Sequence, residues 1–440
     1  MANSVISGEP RTANSEQRVC IIGSGPAGCY VAEHLLKLLP EAHIDVIEKL
    51  PVPFGLIRYG VAPDHQGTKG AARVLDRTLS RDRVRFFGNV EVGRDVKLNE
   101  LRAMYDAVVL ATGAPSDRRL GIPGEDLPGV IGSGAFVNWY NGHPWRTLPD
   151  LNDVRSAVVI GNGNVALDVS RMLAKGADEL KGSDLTPDVL EALRSVPLQH
   201  IHIVGRRSAA EAKFSPHELE ELGTLRRAQP VIEDAKELAG ETPGQKVLQQ
   251  FAADTRTDLP VSIHFHFNLT PSAFTGDTYL QGVAFRSTAG IEVNIPAQLA
   301  VTCIGYEAVP CCSAAPANGV FANDAGKIDD GLYVVGWAKR GPSGTIPTNR
   351  AEALQVAQKI ASEITLGRNE STPNLAELLQ SRGVAWVDFA GWKRIESVER
   401  AGACDERCLL KMLNPDDMIR AAQPDLPPME VAEPDSTVKI

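Results

Sequence analysis

Seven cysteines occur in the chain, yet no two stand in a Cys-x-x-Cys pair. A redox-active dithiol of that form therefore has no candidate. There is also no run of four cysteines, so an iron-sulfur cluster on this chain has none either. Cys311-Cys312 and Cys404-x-x-x-Cys408 read as inert thiols, and an odd count without a regular framework fits a reducing compartment. Lysine and arginine tracts are missing, and 45 basic against 55 acidic residues leave a net charge of −10. A nucleic-acid surface is not expected from such a balance. No window of eighteen apolar residues occurs, and the start lacks the charged and hydrophobic stretches of a secretion signal. Residues 1–17, rich in Ser, Asn and Glu, read as a disordered lead whose single Arg11 argues against a mitochondrial presequence. The expectation is a soluble cytoplasmic protein, monomeric or weakly dimeric.

Two glycine fingerprints are what the chain does have. The first is Gly23-Ser-Gly25-Pro26-Ala27-Gly28 after the apolar run Val19 to Ile22, and Glu48 ends the next β-rich run, Ile44 to Ile47. In a βαβ unit such glycines let the backbone approach a pyrophosphate at a helix N-terminus, and the carboxylate accepts from an adenosine ribose hydroxyl. The second is Gly161-Asn162-Gly163-Asn164-Val165-Ala166 after Ala157 to Ile160. Its following strand, Ile201 to Val204, ends in Gly205-Arg206-Arg207 instead of an acid. A 2′-phosphate would be repelled by a carboxylate there and held by guanidinium groups, which points to FAD at the first site and NADP(H) at the second. The competing reading of the arginines is a solvated pair closing a strand.

The fold class expected is α/β, with two Rossmann-like dinucleotide-binding domains, which the resemblance described below makes glutathione-reductase-like. After the lead 1–17, residues 18–116 and 330–440 form a discontinuous FAD-binding domain, and 117–329 the NADP-binding domain. Tyr105 to Gly113 reads as a buried strand and tight turn, where Ala111-Thr112-Gly113 allows close approach of a cofactor. Gly341-Pro-Ser-Gly344-Thr345-Ile346 opens a helix, a place where amides can cap a flavin ring. An antiparallel β region follows the alternating Ile263-His-Phe-His-Phe267. Its two histidines share a strand face with no third ligand in sight, so no metal site is expected. The stretch from Asn414 to Ile440 is rich in Pro and Asp and shows no periodicity, and its end reads as mobile.

Several longer segments resemble the adrenodoxin-reductase type of ferredoxin-NADP⁺ reductase: Val52 to His65, Gly88 to Arg94, Asn162 to Asp168, Val204 to Arg207, Gly336 to Gly344 and Trp386 to Trp392. The likeness spans residues 18–412. It implies FAD contacts from Ala27, Glu48, Leu56, Val92, Trp337 and Gly344-Thr345-Ile346. It implies NADP contacts from Asn162, Gly163, Asn164, Val165, Arg206, Arg207 and Glu218. His65 and Glu221 match an ionisable pair near the nicotinamide, expected to tune hydride geometry or relay a proton. The implied activity passes hydride from NADPH to FAD and then single electrons to a [2Fe-2S] ferredoxin, which serves a cytochrome P450 or another oxygenase.

Each of these side chains also has a plainer reading. Glu218 lies in the acidic first turn of a helix, which it would stabilise whatever else it did. His65 could be a loop residue fixed by Pro63 and Asp64, Glu221 a solvated helix carboxylate, and Asp168 an ordinary helix position. Glu220 stands where mammalian members carry a basic residue, and Cys404-Asp-Glu-Arg-Cys408 replaces a basic closing segment. Arg58, Arg226, Arg227 and Lys339 are the substitute candidates for docking an acidic partner.

Overall fold

The computed structural model describes residues 17–233, 238–254, 256, 258–311, 313–364 and 374–424. The expected lead, apart from Gln17, lies outside the described residues, as do Cys312 and the tail beyond residue 424. Two compact units emerge, one of residues 1–51, 74–113 and 310–389, the other of 52–73, 114–309 and 390–440.

The first unit begins with strands β1 (Arg18–Ile22), β2 (His43–Ile47), β3 (Val84–Phe87) and β4 (Ala107–Leu110). The second contributes β5 (Ser116–Asp117), β6 (Val130–Gly132), β7 (Ser156–Ile160), β8 (His200–Val204), β9 (Ala228–Ile232) and β10 (Val261–His266). It continues with β11 (Leu269–Thr275), β12 (Gly282–Ser287), β13 (Glu292–Pro296), β14 (Leu299–Thr302) and β15 (Tyr306–Glu307). The chain then returns to the first unit with β16 (Lys327–Asp329) and β17 (Leu332–Val334).

In the first unit the sheet order is β16-β17-β4-β1-β2-β3, parallel except for the edge strand β16. Val19, Cys20 and Ile21 are fully buried, as a central parallel strand covered on both faces requires. The helix Pro26–Leu38 follows β1 with Pro26 at its first turn, where a missing N–H costs nothing. It buries Cys29, Val31, Ala32 and Leu35. The strand order reverses beside β1, with β2 on one side and β4 on the other, and this is where an open parallel sheet leaves a crevice for a ligand.

The second unit repeats the plan with the all-parallel order β6-β14-β7-β8-β10-β9. One face carries the larger core, in which Ile201, Ile203, Ile263 and Phe265 meet Leu167, Leu219 and Leu248 from the helices. On the other face Val158, Ile160 and Val204 pack against Phe274, Val283 and Phe285 of the antiparallel sheet β11-β12-β13. This is the expected antiparallel region. The loop 52–73 joins the same unit through Phe54, whose ring meets Trp392 edge-on at 5.7 Å, and through the buried Arg58–Glu399 ion pair of 2.5 Å.

Two expectations need correction. The stretch read as lacking periodicity opens with a helix, Pro415–Ala421, capped by the Asn414 side chain accepting from the Asp416 N–H, while its end lies outside the described residues. Proline at the first turn behind an asparagine cap is a local start signal that overrides weak periodicity. Arg58 is buried and paired, so it is no surface docking residue. Among the described residues no helix is long and apolar enough to cross a membrane.

Candidate functional site

In the first unit the chain leaves β1 through Gly23 at φ +111°, where an added Cβ would sit 2.4 Å from the Ala111 carbonyl oxygen. At Gly28 a Cβ would fall 2.1 Å from the Gly23 oxygen. These two glycines close a turn that a side chain would force open. Gly25 is different: no heavy atom lies within 4 Å of its would-be Cβ, so its face is open. No side chain caps the helix Pro26–Leu38 that starts there. Its first-turn amides and the positive end of its dipole are thus left for an anion.

The carboxylate of Glu48, at the end of β2, accepts from the Ser24 N–H at 3.0 Å, the Ser24 hydroxyl at 2.7 Å and the Leu50 N–H at 3.2 Å. It fixes the glycine turn and keeps lone pairs for a ribose hydroxyl. Beyond β4, Gly113 at φ +68° also has open space around it, and the buried Thr112 hydroxyl has no partner among the described residues. An open cradle beside an orphaned hydroxyl fits a dinucleotide.

The later glycines close on the same turn. Gly336, at φ +73°, would put a Cβ 2.7 Å from that of Ala27, and its N–H is held by the Glu352 carboxylate at 2.9 Å. The Trp337 indole donates to the Ser343 carbonyl at 3.2 Å. Gly344, at φ +82°, precedes Thr345 and Ile346 at the start of the helix Ile346–Glu363. Val92 lies half-buried in a bridge with Val96. Lys339, offered as a docking cation, is paired with Glu352 at 3.2 Å. Leu56 belongs to the other unit, where its side chain is exposed behind Phe54, a non-glycine residue at φ +84°.

The second unit answers with Gly161 at φ +142°, whose Cβ would meet the Cys303 oxygen at 2.3 Å, and with Gly163, which faces open space. Gly163 precedes the helix Asn164–Ala174, which also has no side-chain cap. The Asn162 amide lies where a Cβ on Gly205 would intrude to 1.7 Å, and its Oδ1 is buried without a partner among the described residues. Asn164 accepts the Ser215 N–H at 2.7 Å, and Ser215 in turn caps the helix Pro216–Gly223 through the Glu218 N–H. Arg206 and Arg207 are both exposed at the end of β8, with only a loose 4.0 Å approach of Arg207 to Glu211. Two guanidinium groups so lightly engaged remain available to an anion.

His65 and Glu221 come together. Nε2 of His65 stands 3.0 Å from Oε2 of Glu221, 4.0 Å from Glu218, and its Nδ1 lies 3.9 Å from Asp168. Sequence reasoning missed the group beneath them. Arg171, fully buried, grips Asp64 through two bonds of 3.0 Å and reaches Asp168 at 2.7 Å and Glu221 at 3.1 Å. Lys175 adds a second cation on Asp64 at 2.6 Å. Burial alone would raise Asp64, but its bonds to Arg171 and Lys175 outweigh that and hold it well below the carboxylate range. Burial raises Asp168 despite Arg171, and burial with the Asp168 charge raises Glu218. Two carboxyl groups raised by burial, Asp168 and Glu218, therefore flank the imidazole.

Residues 17–360 match the family model for pyridine nucleotide-disulphide oxidoreductases. The chain belongs to that family. Within it the chain is of the adrenodoxin-reductase type, as its relatives show. Human mitochondrial NADPH:adrenodoxin oxidoreductase is 36% identical, the match covering 93% of this chain and 92% of that protein. Cindoxin reductase of Citrobacter braakii is 38% identical, with 90% and 89% covered. FprA of Mycobacterium tuberculosis, solved with NADPH, superposes with a TM-score of 0.86 at 36% identity, covering 92% of this chain and 99% of that one.

Proposed function

We propose that this chain is an FAD-containing NADPH:ferredoxin oxidoreductase whose acceptor is a [2Fe-2S] ferredoxin serving a cytochrome P450 or another oxygenase. The observation that carries this reading is the opposite charge at two equivalent strand ends. Glu48 closes β2 behind one open glycine turn, and Arg206-Arg207 closes β8 behind the other. FAD, when bound, supplies the hydride acceptor and the release of electrons one at a time.

The chain's own residues bind and orient. Gly23, Gly25, Gly28 and the amides after Pro26 hold a pyrophosphate, and Glu48 takes the ribose. Ala27, Val92, Ala111, Thr112, Gly113, Trp337 and Gly344-Thr345-Ile346 line the rest of the flavin site. Asn162 to Val165 hold the NADP(H) pyrophosphate, Arg206 and Arg207 its 2′-phosphate, and Glu218 a polar edge. His65 holds a proton at Nε2 and Glu221 fixes its direction. We assign FAD to residues 18–116 with 330–440 and NADP(H) to 117–329, a division supported by the return of β17 to β4, although residues 52–73 and 390–440 cluster with the second unit. A cytoplasmic monomer or weak dimer is our reading, its reducing compartment supported by the thiol state of Cys20, Cys29, Cys303, Cys404 and Cys408.

Anaerobic stopped-flow mixing with NADPH or NADH, followed by a [2Fe-2S] ferredoxin, tests it. Flavin bleaching selective for NADPH and ferredoxin-dependent reoxidation are expected. Bleaching without any transfer to ferredoxin would overturn the acceptor, and equal bleaching by NADH would overturn the arginine assignment.

A further inference from the structure

Parallel pairing of β8 with β10 sets His202 beside His264, His200 beside Ser262 and Val204 beside His266. Because side chains alternate along a strand, one face receives Ile201, Ile203, Ile263 and Phe265 for the core, and the opposite face receives all four histidines. His264 and His266 thus gain neighbours that their own strand does not show, although among the described residues no three ligand atoms of these strands come within 4.8 Å of one another. Their neighbours come from a strand sixty residues earlier in the chain, which pairing alone brings alongside.

The rings of His202, His264 and His266 form a stack, with His200 tilted beside them. His202 lies over His264 at 4.8 Å with 17° between planes, and over His266 at 5.2 Å. Ser262 Oγ bridges His200 Nδ1 at 2.8 Å and His264 Nε2 at 2.9 Å, while Glu233 meets His264 Nδ1 at 3.1 Å. Nδ1 of His202 and Nε2 of His266 face each other at 3.0 Å. Two imidazole nitrogens that close can share one proton and no more.

That spacing also suits a metal. At a Zn–N bond of about 2.0–2.1 Å, two nitrogens on one ion lie about 2.9 Å apart at a right angle and about 3.4 Å apart at the tetrahedral angle. We propose that His202 and His266 chelate a borderline divalent cation of the zinc, nickel and cobalt class, with solvent completing the shell. Hard cations such as magnesium are disfavoured by an all-nitrogen pair. The strands that carry His202 and His266 are fixed to each other, since the His266 carbonyl also accepts the Gly205 N–H at 2.9 Å.

The test is calorimetric titration of the tag-free holoprotein with ZnCl₂, NiCl₂ or MgCl₂. One equivalent of zinc or nickel and no magnesium should bind. His202→Gln and His266→Gln should each weaken binding by about tenfold or more, the least expected for loss of a direct ligand. The group of three ligand-type side chains found among the described residues, His65 with Glu218 and Glu221, is checked by His65→Gln, which should leave binding unchanged. Loss of binding in His65→Gln with retention in His202→Gln would overturn the proposal. Should the sheet variants fail to fold, copper(II) paramagnetic resonance on the unaltered protein decides: coupling to two or more nitrogens is expected, and coupling to one or none would overturn it.

Discussion

Arg171 holds Asp64 by a two-pronged bond, Nε to Oδ2 and Nη2 to Oδ1, each 3.0 Å. Both side chains are buried, and the third guanidinium nitrogen reaches Asp168 and Glu221. Removing the cation would strand carboxylates away from water. Arg171→Met is expected to cost about 3–5 kcal/mol of stability, the usual consequence of breaking a buried pair from one side. Arg171→Lys should recover little, because an ammonium lacks the planar fork. Urea unfolding checks both, and an unchanged midpoint in Arg171→Met would show that Lys175 alone neutralises Asp64.

Arg206→Ala and Arg207→Ala test the phosphate assignment separately. Each removes a charge-assisted contact of about 1.5–3 kcal/mol, so the NADPH KM should rise about tenfold to a hundredfold. The NADH KM should stay where it is, since no 2′-phosphate is present to lose the contact. Steady-state kinetics with both nucleotides gives the answer. A parallel rise for NADH would mean that the substitutions disturb the turn itself.

The two glycines of the first fingerprint make opposite predictions. A methyl group on Gly23 would collide with the Ala111 carbonyl and would sit at a positive φ, so Gly23→Ala should destabilise the first unit with or without FAD. Gly25 has open space where its Cβ would go. Gly25→Ala should therefore fold normally and yet lose FAD, because the added methyl occupies the approach of the pyrophosphate. The ratio of flavin to protein absorbance after gel filtration, together with the thermal midpoint, separates the two cases.

What was legible in the chain is what is encoded locally. Gly23, Gly25, Gly28 and Glu48 sit within one βαβ unit, and so do Gly161, Gly163, Arg206 and Arg207, so spacing alone announces them. Arg171 was silent because its partner Asp64 lies 107 residues away, and a single arginine on a helix looks like any solvated charge. Arg58 misled for the same reason, since Glu399, its buried partner, is 341 residues distant. The histidine stack needed the register of β8 against β10, which neither strand specifies by itself. Asn414-Pro415, by contrast, was a readable cap whose signal the surrounding proline and aspartate content obscured.

The same stack makes stability depend on pH in a defined direction. Histidines that are depressed in the folded state bind fewer protons than the unfolded chain, whose histidines titrate near about 6.5. His202, held down to about 3, and His264 and His266, also lowered, therefore leave stability intact above that value. As pH falls below it, stability drops by about 1.4 kcal/mol per pH unit for each proton withheld, less where solvent reaches the rings. Glu233 opposes the trend at His264, which it contacts at 3.1 Å, and His200 adds to the mutual repulsion. The carboxylate contribution is separable: Asp64, lowered by Arg171 and Lys175, loses its stabilising effect only below about 4. Urea midpoints of the metal-free protein should thus fall between pH 6.5 and 4.5, a range set by these pKa values, and His202→Gln should flatten that fall. A slope untouched by His202→Gln would place the acid sensitivity outside the stack.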